Sequence, residues 1–561
     1  VVLTTIKQAF VETYQQHADR TALRWKERGA WTEMSWRELM GRVRQVGEVL
    51  NRLKIKPGQC VAIHLDNCRQ WPEIYLGIVS AGCTAVPIDA KLRPQEVAHV
   101  LRNSEASAVF ASARTYPILR EVEPHTPEIA TTVLIGGDKV LPIQNSRVQY
   151  LDYDETMTAA REASERDECH FNLSKPKPDD VASIIYTSGT TGRQKGAMLT
   201  HGGFSSNVEA VLQCIDVSPE DNFLLVLPLH HAFAFTANLM VPIFSGAQIS
   251  FIQSLKTVGE NTREVSPTVL IGVPLLLEKI HARIMAGLKK KPLVYFLYRA
   301  GLKAPIIKGI KEKLGGKLRM CVVGGAPSSV ETIKGFAELG IPVVEGYGLT
   351  ETAPILTFNP VDAPLPGSVG KAIPGVDVQI KDPNEEGIGE ITARGPNIMK
   401  GYYKNPQATA DVMDGDWFLT GDMGYINADG YVIITGRKKS LIVNREGKNI
   451  YPEEVETQIL KSEYVLETIV LGYTVEGETG ERVGAIVVPN EEAVAEHRRQ
   501  RQQPVTDDEL TQLMVDEVKR VTIDIADYKR PRRIQVRSEE FEKTSTSKVK
   551  RYLYAITPTE V

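Results

Sequence analysis

Cysteine is scarce: Cys60, Cys68, Cys83, Cys169, Cys214 and Cys321 are the only six in 561 residues. None stands at the short spacing of a metal ribbon or a redox pair, so no disulfide framework and no cysteine-zinc site is expected, and a reducing compartment fits. Charge of one sign is not in excess either. The 66 Lys and Arg against 70 Asp and Glu leave a net charge of -4, which gives no global pull toward nucleic acid. Val1 to Phe10 lack the basic start, apolar centre and small-residue cleavage site of a secretory signal. A chain that begins at Val1 carries little information on targeting, and the cytoplasm is the expected location. A membrane span is suggested by length alone at residues 223–255, which contain no Asp, Glu, Lys or Arg. Pro228, His230, His231, Asn238, Pro242, Gly246 and Gln248 interrupt the run. A bilayer penalises broken backbone, so buried strands and a helix are expected there instead. Internal repeats and long low-complexity tracts are also missing.

What is present is ordinary globular composition, 42% hydrophobic and 24% charged, over a length that allows three or four core-sized units. Ser35 reads as the N-cap of a helix through SWRELMGRVRQVGEVL. Cys60–Leu65 and Thr84–Ile88 read as short buried strands around a helix that starts near Gln70. The alternation recurs over 181–251 and 268–344, which predicts a large α/β domain with mainly parallel sheets. From about residue 365 glycines and short strand runs multiply, as in a barrel-like β unit. Past the charged break Gly436–Ser440, mixed periodicity suggests a separate small α+β domain. The expected division is 1–436, with the barrel-like part at about 365–436, and 437–561. Residues 491–504 read as a solvated helix end or loop.

The most informative stretch is Thr187-Ser188-Gly189-Thr190-Thr191-Gly192-Arg193-Gln194-Lys195-Gly196, after the apolar run Val181–Tyr186. Glycines let backbone N–H groups approach a polyphosphate, hydroxyls add donors, and Lys195 adds charge. A Walker A loop is absent, because Gly196 stands where that motif needs Ser or Thr. Val322–Pro327 reads as a strand running into a tight turn, and Glu345–Thr352 as another. In the second, Tyr347 offers a ring to stack on a base, Thr350 a hydroxyl for a phosphate, and Glu351 an oxygen ligand for magnesium. Asp422, closing Trp417–Asp422, suits a ribose diol.

Taken together these segments resemble the adenylate-forming superfamily of acyl-CoA synthetases, aryl-CoA ligases, luciferases and adenylation domains. The motifs follow in family order: YTSGTTGRQKG, LPLHH, VVGGAPS, EGYGLTET, GEITARGPNIMKGYY, WFLTGDMGYINADGYVIITGRKK, GKNIYPEEVE and KTSTSKVKR. The resemblance implies that Thr187, Ser188, Gly189, Thr190, Thr191 and Lys195 hold the ATP phosphates. It places adenine among Gly325, Ala326, Pro327, Glu345, Gly346, Tyr347 and Gly348, the α-phosphate at Thr350, magnesium at Glu351, and ribose at Asp422 and Arg437. It gives Lys548 to the substrate carboxylate and α-phosphate, and His231 to the acid pocket beside the reaction centre. It makes the carboxyl-terminal domain mobile about a hinge at Lys439, with Gly447 and Lys448 on the face used for the thiol step.

The chain departs from the family pattern at Gln194, Ser440, Glu542 and Ser547, where proline, an acidic residue, proline and glycine are common. Ser547 is the least comfortable, because glycine reaches backbone angles that serine avoids. The implied activity uses ATP, Mg2+ and CoA to turn a carboxylic acid into its thioester. Residues 231–239 contain no Asp to hold an amino-acid ammonium group, so a hydrophobic acid, medium- or long-chain, is the leading expectation. Aryl-CoA ligase, loading of an acyl carrier protein in trans, and an inactive ligand-binding homologue stay open as alternatives. The basic, partly apolar stretch 285–318 reads equally as a peripheral contact with anionic lipid and as a solvated helix face.

Overall fold

The computed structural model describes residues 3–140, 145–187, 194–475, 480–501, 506–543 and 549–556. Two compact units are present. The first comprises 1–378, 393–418 and 428–432, and the second comprises 379–392, 419–427 and 433–561. The chain passes between the units several times over 378–433, and the stretch read as barrel-like contributes five successive strands, Asp377–Lys381, Gly389–Arg394, Met413–Asp414, Trp417–Ile426 and Val432–Arg437, to one sheet.

The first unit carries two large sheets. One has seven strands in the order Gln149–Asp152, Thr131–Ile135, Ala108–Ser112, Cys60–His64, Thr84–Pro87, Val181–Thr187 and Lys195–Thr200. All its pairings are parallel except the last, where Val181–Thr187 returns antiparallel as Lys195–Thr200. The other has nine strands, with a parallel centre of Val343–Gly348, Met320–Gly324, Val269–Gly272, Asn222–Leu225, Gln248–Phe251 and Thr21–Glu27. Strands buried on both faces read as nearly continuous apolar runs, which is why Cys60–His64 and Thr84–Pro87, buried at every position, were legible as strands.

Local chemistry fixes the helices between them. Ser35 Oγ accepts from the Glu38 backbone N–H at 3.2 Å, and Glu38 returns a bond to the Ser35 N–H at 2.7 Å. This capping box opens the helix Trp36–Arg52, whose Leu39, Met40, Val43, Val46, Val49 and Leu50 are buried. The charge-free run resolves into the strand Asn222–Leu225, the helix Ala232–Phe235, a π turn Thr236–Met240, the helix Val241–Ser245 and the strand Gln248–Phe251. No helix among the described residues is long and apolar enough to cross a membrane. Aromatic packing anchors this segment. Phe235 meets Tyr75 edge-on at 4.6 Å and Phe204 at 5.0 Å, while Tyr75 stacks on Trp71 at 5.5 Å. Such pairs add about 0.5–1.5 kcal/mol each beyond their buried area.

Residues 274–313 form three helices, Pro274–Lys289, Pro292–Arg299 and Ala304–Lys313, and Leu293, Phe296 and Leu302 on this stretch are exposed. The stretch 491–504 begins as a helix, Glu491–Arg501. The second unit is α+β. Its three-stranded sheet runs Val465–Tyr473, Arg482–Pro489 and Arg533–Val536, with helices Pro452–Ile459 and Asp507–Val521 burying Val455, Ile459, Met514 and Val518.

Candidate active site

In the first unit, the ends of several strands present the expected residues. Thr187 closes its strand directly opposite Lys195, and the Thr187 hydroxyl reaches the Lys195 carbonyl at 3.5 Å. Ser188, Gly189, Thr190 and Thr191 lie outside the described residues. The far edge of the Lys195–Thr200 strand is covered by residues 400–403. The Tyr403 N–H donates to the Gly196 carbonyl at 2.8 Å, and the Met198 N–H to the Gly401 carbonyl at 3.0 Å. This pairing brings the Tyr402 ring beneath Lys195, with Nζ 5.0 Å from the ring centroid. The Tyr402 hydroxyl in turn donates to Glu351 Oε1 at 2.7 Å. Burial raises the Tyr402 phenol well above its ordinary range, and the Glu351 charge adds to the effect, so this hydroxyl keeps its proton and stays a donor.

Glu351 sits in the short turn Thr350–Thr352 with 9% of its surface exposed. The turn follows the strand Val343–Gly348, which carries Glu345, Gly346, Tyr347 and Gly348. Gly348 has to be glycine: a Cβ there would lie 1.7 Å from the Pro354 carbonyl oxygen. Gly325 turns with φ +83° at the end of the neighbouring strand Met320–Gly324, and Gly325, Ala326 and Pro327 are exposed. Main-chain pairing joins these two strands, Gly324 lying opposite Gly346.

Burial pushes the Glu345 carboxyl up to about 7, against hydrogen bonding from Ser328. The folded protein holds this proton to a higher pH than the unfolded chain does. The stabilisation is therefore complete below about pH 4.5 and is lost as pH rises through about 7. Glu345→Gln removes the titration. The melting temperature of the unsubstituted protein relative to Glu345→Gln should fall between about pH 5 and about pH 8. Melting curves of both at the two pH values check this, and an unchanged difference would contradict it.

His231 occupies a second cluster of the same unit. The Asn67 side chain fixes the loop before it, donating to the Leu227 carbonyl at 2.8 Å and accepting from the Leu229 N–H at 2.9 Å. His231 Nε2 lies 3.0 Å from His230 Nε2, and His230 Nε2 lies 3.4 Å from Asp89 Oδ2. Asp89 follows the strand Thr84–Pro87 and His64 ends the adjoining Cys60–His64. Burial pushes the His64 imidazole down to about 4 against the attraction of Asp89. Asp89, His230 and His64 were not among the residues selected from sequence, since only the closed fold brings the ends of Cys60–His64 and Thr84–Pro87 to the loop that carries His230 and His231. Tyr402 was missed too, although it stands within the GPNIMKGYY motif.

In the second unit, Arg437 Nε meets Asp422 Oδ1 at 2.7 Å, and the Asp422 side chain is 5% exposed. The expected ribose pair is thus one ion pair, held by the strands Trp417–Ile426 and Val432–Arg437. Lys439 is exposed in the short turn Lys438–Ser440, while its neighbour Lys438 pairs with Glu390 at 2.6 Å. Gly447 turns with φ +74°, and Lys448 Nζ lies 4.6 Å from the Tyr528 ring centroid. Lys548 lies outside the described residues, as do Thr544 to Ser547.

This fold, two parallel-centred sheets with a small α+β unit, is that of the adenylate-forming enzymes. Residues 10–403 match the AMP-binding enzyme family and residues 454–548 its AMP-binding enzyme C-terminal domain. The chain belongs to that family and is an acid–thiol ligase whose reaction uses ATP. It is 30% identical over 508 residues to long chain acyl-CoA synthetase 7, peroxisomal, of Arabidopsis thaliana, covering 83% of this chain and 71% of that protein. It is 31% identical over 462 residues to the 3-[(3aS,4S,7aS)-7a-methyl-1,5-dioxo-octahydro-1H-inden-4-yl]propanoyl:CoA ligase of Rhodococcus jostii (strain RHA1), covering 80% and 83%. The anthranilate CoA ligase AuaEII, solved with anthranoyl-AMP, shares the fold at TM-score 0.79 and 22% identity, over 99% of this chain and 97% of that one.

Proposed function

We propose that this ligase converts a hydrophobic acid, a medium- or long-chain fatty acid, to its acyl-adenylate and then passes the acyl group to CoA. The observation that carries the nucleotide half of this reading is the Lys195–Tyr402–Glu351 stack, a cation and a buried carboxylate tied through one phenol. In it Thr187, Ser188, Gly189, Thr190, Thr191 and Lys195 hold the phosphates. Gly325, Ala326 and Pro327 enclose adenine with Glu345, Gly346, Tyr347 and Gly348, Thr350 meets the α-phosphate, and Asp422 and Arg437 bind ribose. Glu351 fits magnesium, since it is a hard oxygen donor with one oxygen engaged by Tyr402, and magnesium is commonly held by one or two carboxylates plus substrate phosphates. When bound, that ion supplies positive charge against the phosphate oxygens.

The acid's carboxylate oxygen attacks the α-phosphorus. That bond forms as the bond to the β-phosphate breaks and pyrophosphate leaves, with Lys548 offsetting charge on the reacting oxygens. The thiol sulfur then attacks the acyl carbonyl carbon, and the carbon–oxygen bond to AMP breaks. Lys439 serves as the hinge for the second step, and Gly447 and Lys448 line the approach of the thiol.

The apolar turns Ala232–Phe235 and Thr236–Met240, without a carboxylate to hold an ammonium group, support an alkyl acid, as does the long chain acyl-CoA synthetase relative. The exposed Leu293, Phe296 and Leu302 among lysines support uptake of such an acid at an anionic lipid surface. A second reading, a fused-ring propanoate or an aryl acid, is favoured by the equally similar Rhodococcus ligase. Pyrophosphate release from a panel of acids, with ATP and Mg2+, with and without CoA, separates these. Turnover on long alkyl acids that requires CoA is expected. Release that ignores CoA favours an acyl carrier protein as acceptor, preference for ring acids favours the second reading, and no release from any acid overturns both.

A further inference from the structure

Outside the nucleotide residues, the first unit holds a further convergence of metal-ligating side chains among the described residues. Asp89, His230 and His231 each bring one donor atom to the cluster, and these three atoms lie within 4.8 Å of one another. The strand ends and the Asn67 clamp set this geometry, since Asp89 and His230 come from separate sheets. The Asp89 and His230 side chains are only 7% and 11% exposed. His64 is wholly buried in the field of the same two residues.

Two imidazole nitrogens and one carboxylate oxygen are a ligand set for zinc and related divalent transition ions. It is a poor set for magnesium, which prefers oxygen throughout. Nitrogens bound to one zinc at about 2.0–2.1 Å stand about 3.3 Å apart, close to the 3.0 Å between His230 and His231. Three protein ligands leave a fourth position for water or an anionic group. Imidazole and carboxylate are both ordinary ligands at this count, and the buried carboxylate supplies negative charge to the ion.

We propose that Asp89, His230 and His231 form a binding site for a zinc-class divalent ion, separate from the magnesium ligand Glu351. Occupancy fixes the His231 ring on the metal and places a Lewis acid where the acid's carboxylate is read to enter, so the ion inhibits acid activation reversibly. The inhibition rests on the placement of His231 beside the reaction centre, whereas the binding does not.

The test uses the full chain, stripped of metal with a chelator. Equilibrium dialysis against Zn2+ and the visible absorption of added Co2+ read the site directly, with no need for turnover. One tightly held ion per chain is expected, and Asp89→Asn and His230→Gln should each lose it while melting cooperatively. His230→Cys guards against a misfolded deletion, because it should keep the ion and add a thiolate-to-cobalt charge-transfer band. No binding by the unsubstituted chain, binding unchanged in both deletions, or a cysteine variant that binds Co2+ without that band would each overturn the site. Binding without inhibition of pyrophosphate release would keep the site and overturn the placement of His231.

Discussion

Glu351→Gln is expected to lower acid-dependent pyrophosphate release by about 10²–10³-fold, with a melting temperature close to that of the unsubstituted protein. Glutamine matches glutamate in volume and still offers an oxygen to the Tyr402 hydroxyl, which donates to Glu351 at 2.7 Å. What it removes is a negative charge kept 9% exposed beside the Lys195–Tyr402 pair. A fixed charge at a site of phosphoryl transfer acts without reorganisation, which gives it a large effect on rate. Tyr402→Phe keeps the charge and removes only the hydroxyl that orients it, so a smaller loss is expected, together with a higher magnesium requirement. Initial rates across a magnesium titration check both variants. A Glu351→Gln enzyme within about tenfold of the original would show that this carboxylate does not hold the ion.

Gly348→Ala is expected to be the most damaging single-methyl change in the first unit. The added Cβ would stand 1.7 Å from the Pro354 carbonyl oxygen and 3.1 Å from Ile355 Cα, both main-chain atoms. Backbone cannot move aside as a side-chain tip can. Gly348 also pairs with Ile355 across a register shift, and the turn bearing Thr350 and Glu351 lies between them. Overpacking in a core costs about 1–3 kcal/mol, and this contact exceeds the ordinary case. We expect loss of soluble protein, or a fall in melting temperature of about 5 °C or more with loss of turnover. Gly325→Ala is the comparison. Its φ of +83° strains alanine, but nothing lies within 4 Å of the new Cβ, so a smaller fall is expected. Equal melting curves for Gly348→Ala and the original would contradict the tight turn.

Part of this was legible in the residues because the causes are local. Ser35 and Glu38 sit three apart and close a capping box by themselves. Ala182–Ile185, buried throughout in the strand Val181–Thr187, is apolar except for Ser183, which bonds the Tyr75 hydroxyl at 2.8 Å. Gly246, at φ +71°, ends the helical stretch that runs through Pro242, and the strand Gln248–Phe251 follows it. The order of eight motifs carried the family, whereas the ion pair between Asp422 and Arg437, both read as ribose ligands, was not part of that reading.

Tertiary structure alone decided the rest. Tyr402 became a site residue because residues 400–403 pair with Lys195–Thr200, across about two hundred positions of chain, and hydrophobic periodicity has no term for such pairing. His64, Asp89 and His230 converge because two strand ends and one loop meet at the carboxyl edges of parallel sheets. The multiple crossings between units over 378–433 fall on five successive strands, Asp377–Lys381 to Val432–Arg437, whose order in their sheet differs from their order in the chain. Propensity, capping and burial act over a few residues and were readable in the sequence. Convergence of side chains is set by sheet order and register, and those exist only once the chain has closed on itself.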